Sequence, residues 1–370
     1  MRAVVVSRVY ADPATRSKLK ALAGLGVSIA AAVPDHWSPV GLGAEQQTSF
    51  GDDAGVRTVP IPVRGSTAPG GDPAWTRAPL RRLLTDFRPE LIQIEEEPWT
   101  RAASTSAVLA RRLHIPYIVL TRESLPGSHG VMGRIRRSRV LRGARALVAV
   151  NELAAKLVGR QHPSLALRVI PQVGVSVPLQ TSRPERPGLT IGFLGRLLPE
   201  KGLDLIFRAC VKLIGRWNII VVGTGPAQEE LEGLAERLGI AGRVTWLGAL
   251  PRHRVDEVWP LLDCVVLPSR TTPNWIEGMP RAAIEAMANG VPVLATSAGA
   301  LPETVGPAGL IVPEENVDAL AEALQRLHDD RAERERLAGE GRRRAMGEYT
   351  DAAIADKTLR FWRDTIAATS

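Results

Sequence analysis

Short apolar runs alternate with amphipathic stretches along the whole chain. Residues 3–7 form a β-branched run, 15–25 carry a helical pattern ending at Gly26, and 27–33 form a second strand. A β-α-β opening of this kind predicts a parallel, doubly wound sheet. The alternation continues with strands expected at 91–94, 116–120, 146–150 and 168–171, and helices over 80–87 and 152–160. A second series starts at residue 189. Its strands fall at 189–194, 217–222, 243–248, 263–268, 291–295 and 309–313. Its helices begin at Leu203, span 227–238, open at Pro280 and stop at Asn289-Gly290, then cover 317–328 and 331–346. A terminal helix covers 350–366, and 296–302 reads as a loop. Pro280 suits a first turn, where a missing N–H costs nothing.

Length changes this picture only by dividing it. At 370 residues and about 150 per domain, two domains are expected. The polar, Pro-rich stretch 181–188 is the natural linker, and 64–74 a Gly/Pro-rich connection inside the first domain. No apolar run reaches the ~18 residues of a membrane span. The opening Met1-Arg2-Ala3-Val4-Val5-Val6 reads as a strand, not a signal peptide. Cys210 and Cys264 stand alone in sequence and read as core thiols of a cytoplasmic protein. The histidines show no metal-ligand spacing.

Charge is unevenly spread. Residues 1–180 carry a net +11 and the remainder −3. The basic half suggests an anionic partner: a membrane surface, a lipid diphosphate or nucleic acid. Arg134, Arg136, Arg137, Arg139, Arg142 and Arg145 concentrate that charge, with no clean apolar face around them. They read as a basic patch for anionic headgroups. With only 4% aromatic residues and no binding motif, specific nucleic-acid recognition is not expected.

Two loops carry the candidate chemistry. The first is Gly195-Arg196-Leu197-Leu198-Pro199-Glu200-Lys201-Gly202, between a strand and a helix. Gly195 admits close backbone approach, Arg196 can fork onto a phosphate, and Lys201 adds a compact charge beside a helix N-terminus. The second runs Glu277-Gly278-Met279-Pro280-Arg281 into a helix holding Glu285 about two turns in. Two carboxylates there suit hydroxyl donors, and N–H groups at Gly278, Met279 and Arg281 are candidates for ligand oxygens. Gly223-Thr224-Gly225 ends another strand of the same domain. In the first domain, a short strand runs straight into Glu95-Glu96-Glu97, where open α/β sheets bind ligands. These carboxylates suit a hydroxyl-rich ligand, arginine partners such as Arg101, or a solvated turn.

The string E-G-x-P-x-x-x-x-E-A-M-A-x-G-x-P-V from Glu277 resembles the donor-site signature of family 4 retaining glycosyltransferases. G-R-x-x-x-E-K-G from Gly195 resembles that family's second signature, and Glu95-Glu96-Glu97-Pro98 resembles a segment of its bacterial surface-polysaccharide branch. The resemblance implies the GT-B fold, an α/β architecture of two Rossmann-like doubly wound domains facing a cleft. The acceptor domain would be 1–180, the linker 181–188, the nucleotide-sugar domain 189–349, with 350–370 crossing back onto the first domain. It implies sugar transfer from a nucleoside diphosphate sugar to a glycan or lipid-linked acceptor, with no metal and no cofactor beyond that co-substrate. Glu277, Arg196, Lys201 and Glu123 are the expected catalytic residues. Gly195, Arg196, Lys201, Gly223, Leu250, Glu277, Gly278, Met279, Pro280 and Glu285 would hold the donor, Leu250 through its backbone at the nucleobase. Tyr10, Glu97 and Glu123 would meet the acceptor. Glu123 stands where many members of the family have a histidine. The location implied is cytoplasmic, peripheral on the inner face of the cell membrane. The rival expectations are a non-catalytic sugar-nucleotide or polysaccharide-binding module of the same fold, a sugar-nucleotide epimerase, and a nucleic-acid binder.

Overall fold

A computed structural model describes residues 1–37, 46–67, 71–127, 129–178 and 187–368. Residues 181–186 of the expected linker and 68–70 of the expected connection lie outside them. The chain divides into two compact units, one of Met1–Gly174 with Asp351–Ser370, the other of Val175–Thr350.

The first unit is built on an eight-stranded sheet. Its strands are β1 (Arg2–Val6), β2 (Ser28–Pro34), β3 (Gly51–Asp53), β4 (Val56–Ile61), β5 (Leu91–Ile94), β6 (Tyr117–Thr121), β7 (Ala146–Ala149) and β8 (Ala166–Val169). The order is β8-β7-β6-β5-β1-β2-β4-β3, parallel except for the β3–β4 hairpin. Both faces are covered, so alternate residues of one strand enter different cores: Ala3 and Val5 one, Val4 and Val6 the other. This explains the continuous apolar runs. The helices are α1 (Ser17–Gly24), α2 (Arg77–Phe87), α3 (Arg101–Arg112), α4 (Gly130–Gly143) and α5 (Glu152–Gln161).

The second unit is a six-stranded parallel sheet of β9 (Leu189–Leu194), β10 (Trp217–Val222), β11 (Val244–Trp246), β12 (Cys264–Leu267), β13 (Val293–Thr296) and β14 (Gly309–Val312). Its order, β11-β10-β9-β12-β13-β14, is the doubly wound pattern that reverses between its first and fourth strands. Here that reversal falls between β9 and β12. The helices are α6 (Leu203–Cys210), α7 (Gln228–Arg237), α8 (Arg281–Ala288), α9 (Leu301–Val305), α10 (Val317–Asp329) and α11 (Arg331–Arg344), with a π turn at Ala345–Tyr349. The closing helix, α12 (Asp351–Ala367), returns to the first unit, where it packs on α1 with Ile354, Leu359, Phe361 and Trp362 buried.

Several elements differ from the sequence pattern, three of them near the candidate chemistry or in the packing of the first unit. Pro280 is the residue before α8 rather than in its first turn, and its carbonyl accepts from Ala283 and Ile284. The expected loop 296–302 closes with the start of α9, where Pro302 occupies a first-turn position. Helix α3 gave no sequence signal, because its buried side is mostly Ala102, Ala103, Ser106, Ala107 and Ala110. Small residues pack closely but carry little hydrophobic contrast.

Candidate functional site

In the second unit, the carboxyl ends of β9 and β12 bring the two sequence loops together. After β9 the chain passes Gly195 and Arg196, makes a 3₁₀ turn at Pro199–Lys201, and enters α6 through Gly202 at φ 70°. A Cβ on Gly202 would stand 2.0 Å from the Pro268 carbonyl oxygen, so only glycine lets this loop meet the end of β12. Gly223, at φ 130° after β10, is pressed equally hard against the Gly195 carbonyl, at 1.9 Å from a notional Cβ. Three loops are thus locked at the reversal point.

Lys201 and Glu277, 76 residues apart, meet there. The Lys201 ammonium donates to Glu277 Oε2 at 2.6 Å, and the Ser269 hydroxyl donates to the same oxygen at 3.0 Å. Lys201 Nζ also lies 4.9 Å from the Trp275 ring centroid. The Glu277 side chain is 9% exposed, and its carbonyl accepts from the Ala300 N–H at 2.7 Å. Arg196 is exposed and makes no ion pair among the described residues. Arg270, which the sequence did not single out, braces the loops. Its guanidinium forks onto both carboxylate oxygens of Asp204 at 2.8 and 2.7 Å, while its N–H donates to the Glu200 carbonyl. The hydrogen bonds to Asp204 raise its pKa above the ordinary value, against the opposing pull of burial.

The remaining donor-side residues fall on the same edge of the sheet or near it. Glu285 lies four residues into α8, closer to its start than two turns, and accepts from Arg281 Nε at 2.8 Å. The Arg281 N–H, expected to be open to a ligand, donates instead to the Met279 carbonyl at 2.8 Å. The Met279 N–H has no acceptor among the described residues. Gly278, Met279 and Leu250 are partly buried, and Pro280 is buried.

In the first unit the three adjacent glutamates are buried, which rules out the solvated turn. Glu95 accepts from Lys18 Nζ at 2.7 Å, the Tyr10 hydroxyl at 2.9 Å, Gln172 Nε2 at 2.9 Å and Gln93. Glu96 takes the Arg8 N–H at 2.7 Å and its guanidinium at 3.1 Å. Burial still pushes the Glu96 carboxyl above its usual range, with Arg8 and Arg122 pulling the other way. Glu97 accepts from Thr121 Oγ1 at 2.9 Å and from the Arg122 N–H at 2.8 Å, tying the ends of β5 and β6. Arg101 is not a partner; it pairs with Asp72. Tyr10 is fully buried with its hydroxyl committed to Glu95. A sealed phenol does not fit an acceptor contact, so that expectation gives way to a structural role.

Glu123 sits past the end of β6 in a cluster invisible to spacing rules. Its Oε1 lies 2.6 Å from His129 Nε2 and its Oε2 2.9 Å from Arg137, while the Gly127 N–H donates to Oε1. His129 stacks on Trp99 with centroids 3.8 Å apart and planes 11° apart. A histidine six residues on in the chain thus lies directly beside Glu123.

Both units are doubly wound, and the second concentrates a cation–carboxylate pair and a free arginine at its reversal point. That is the build of a GT-B protein, and comparison agrees. The chain aligns over its full length with sucrose-phosphate synthase from Thermosynechococcus elongatus at a TM-score of 0.73 and 20% identity. It aligns over 98% of its length with all of Anabaena HepE, solved with UDP and glucose, at a TM-score of 0.70 and 18% identity. At these identities the likeness concerns the fold. The sequence profile "Glycosyl transferase 4-like domain" matches residues 11–172 and "Glycosyl transferases group 1" residues 181–344. The chain belongs to the glycosyltransferases of the GT-B fold and family 4 type. It is 34% identical over 191 residues to a GDP-mannose-dependent alpha-(1-6)-phosphatidylinositol monomannoside mannosyltransferase of Mycobacterium tuberculosis, covering 50% of this chain and 49% of that one. It is 29% identical to the 2-deoxystreptamine glucosyltransferase of Streptomyces kanamyceticus, covering 73% and 79%. The match thus spans about half the length of the mycobacterial relative.

Proposed function

We propose that the chain transfers a hexosyl group from a UDP- or GDP-linked sugar to a hydroxyl of a glycan, glycolipid or other small acceptor, with the anomeric configuration retained. The observation that carries this reading is the Lys201–Glu277 pair at the β9–β12 reversal, with the unpaired Arg196 on the same loop as Lys201. In the transfer, the bond from the anomeric carbon to the diphosphate breaks and its electron pair leaves with the phosphate. The acceptor oxygen bonds to the same carbon, on the face the phosphate leaves. Its proton passes to the departing phosphate oxygen.

Arg196 and Lys201 stabilise the charge that develops on the diphosphate, a role that does not require a metal ion. Glu277 orients the donor sugar and favours positive charge at the anomeric carbon. Gly195 and Gly223 let backbone approach the phosphates, Gly278, Met279 and Pro280 line the sugar side, Glu285 takes the ribose hydroxyls, and Leu250 meets the base through its backbone. On the acceptor side, Glu97 and Glu123 supply carboxylates, Glu123 acting from behind the more exposed His129.

The mannosyl- and glucosyltransferase names of the relatives support a nucleotide-sugar donor. Work on cell-surface polysaccharide or glycoconjugate at the inner face of the membrane is supported by α4. There Val131, Met132 and Ile135 are exposed among Arg134, Arg136 and Arg139. No helix among the described residues is long and apolar enough to cross a membrane.

A thermal-shift screen with UDP, GDP, ADP and their sugars, without metal and then with Mg²⁺, tests the donor. Ligand at ~100 times its Kd adds roughly 2.7 kcal/mol of stability. The expected result is a shift with one nucleotide that Arg196→Ala abolishes. An unchanged melting point with every nucleotide, or turnover unaltered in Glu277→Ala, would overturn the assignment.

A further inference from the structure

The first unit holds a cavity of ≈ 590 Å³ whose lining includes Arg64, Trp75, Thr76, Arg77, Arg101 and Arg136. Four guanidinium groups border it. Asp72 offsets one of these charges: its carboxylate lies 3.3 Å from Arg101 Nε and 3.4 Å from Arg136, and accepts the Arg101 N–H at 2.8 Å. The side chains of Arg64 and Arg77 make no ion pair or hydrogen bond among the described residues and are exposed. Trp75 is 4% exposed, and its indole N–H is buried with no acceptor. A donor in that state costs stability unless something accepts from it.

The backbone adds to this. Thr76 precedes α2 but its side chain does not cap the helix. The N–H groups of Arg77 and Ala78 have no acceptor among the described residues, at the positive end of an eleven-residue helix, and Ala78 also lines the cavity.

The geometry points to a binding site for a phosphate monoester in this cavity. Two free guanidinium forks, two open backbone N–H groups and one orphaned indole N–H are more donors than a carboxylate's two oxygens can accept. The three terminal oxygens of a phosphate monoester can take them all, and its double charge matches the net positive lining. The phosphate can belong to a soluble phosphorylated compound or to a phospholipid headgroup. The site uses none of the donor-side residues, so this inference stands apart from the sugar-transfer reading.

The test is calorimetric titration of inorganic phosphate into the full chain carrying Arg196→Ala and Lys201→Ala, which silences the donor-side cations. One saturable site is expected. Adding Arg64→Ala and Arg77→Ala should weaken it about tenfold or more, as for lost charge-assisted hydrogen bonds. Trp75→Phe, which keeps the ring and removes the N–H, should weaken it several-fold without changing the fold. If the double alanine variant fails to fold, Arg64→Gln with Arg77→Gln replaces it. Glycerol 3-phosphate is then compared with phosphatidylcholine vesicles with and without phosphatidic acid. Competition by the soluble ester assigns a soluble ligand, and sedimentation with only the acidic vesicles that the Arg64 and Arg77 variants lose assigns a headgroup; either supports the site, whereas sedimentation those variants leave unchanged comes from the basic surface of α4 and counts against a headgroup in the cavity. No saturable phosphate binding, or an affinity untouched by the arginine and tryptophan variants, overturns it.

Discussion

Lys201 and Glu277 each satisfy the other, and this sets what their loss should do. Glu277 is buried enough that removing the ammonium leaves its carboxylate with only the Ser269 hydroxyl on that oxygen. Lys201→Ala is expected to cost about 1–3 kcal/mol of stability, as for an orphaned buried group, as well as donor binding. The Lys201→Ala/Glu277→Ala double variant should recover part of that stability, and a double-mutant cycle by urea denaturation would read the coupling. Additive losses would mean the pair does not interact. Glu95 gives a stricter case in the other unit, because both partners are sealed: its side chain is 0% and that of Lys18 2% exposed. Lys18→Ala should cost roughly 3–5 kcal/mol, the penalty for an uncompensated buried charge. Lys18→Met with Glu95→Gln should recover much of it. Equal stability of Lys18→Ala and the wild type would refute the ion pair as a structural element.

At the scale of elements, the loops that hold the donor-side residues owe their position to glycine. Gly202 and Gly223 combine positive φ with carbonyl contacts that leave no room for a Cβ. Gly202→Ala should lower stability by roughly 1–3 kcal/mol from backbone strain alone and displace Lys201 from Glu277. Nucleotide binding should fall more than stability, and a calorimetric titration beside a thermal melt separates the two. The elements that sequence placed to the residue (Leu91–Ile94, Leu189–Leu194, Trp217–Val222 and the start of α6) are apolar runs or turns bounded by Gly, Pro or charge. Elements it missed lack such contrast. Helix α3 buries alanine and serine, and the β3–β4 hairpin alternates around Asp52, Asp53 and Gly55 with Val56 and Ile61 as its deep apolar anchors beside a buried Thr58.

At the scale of the molecule, α12 completes the first unit. Ile354, Leu359, Phe361 and Trp362 are buried in its core, and the Trp362 indole donates to Gln93, which in turn donates to Glu95. Removing residues 351–370 would delete these four large buried side chains, each worth roughly 1.5–3 kcal/mol, and uncover the core they pack on, a loss comparable to the stability of a whole domain. The truncated chain should lose the cooperative unfolding of its first unit in a denaturant titration, while α/β content from the second unit persists. A separate prediction concerns pH. Burial pushes the Cys210 thiol from 9.0 to about 12 and the Tyr117 hydroxyl from 10.0 to about 12. The folded chain holds both protons more tightly than the unfolded one. Their contribution is full below the unfolded values and drains away as pH rises toward about 12, at up to ~1.4 kcal/mol per pH unit for each group. Urea midpoints should fall between about pH 9 and 11, less steeply in Cys210→Ala.

The alternation of apolar runs with amphipathic stretches was enough to define two doubly wound sheets, since their central parallel strands, such as Leu91–Ile94, Leu189–Leu194 and Cys264–Leu267, are buried on both faces and read as near-continuous apolar runs. Residue type beside a helix start, together with the resemblance of both loops to family signatures, named Arg196, Lys201, Glu277 and Glu285 as candidates. Sequence could not say which side chains meet. Lys201 reaches Glu277, Glu95 reaches Lys18 and Tyr10, Glu123 reaches His129, and Arg101 joins Arg64 and Arg77 around one cavity only after distant strand ends are brought to the same edge of a sheet. A carboxylate looks the same in sequence whether it faces water or a buried ammonium. Packing decides which, through the cost of leaving it unpaired.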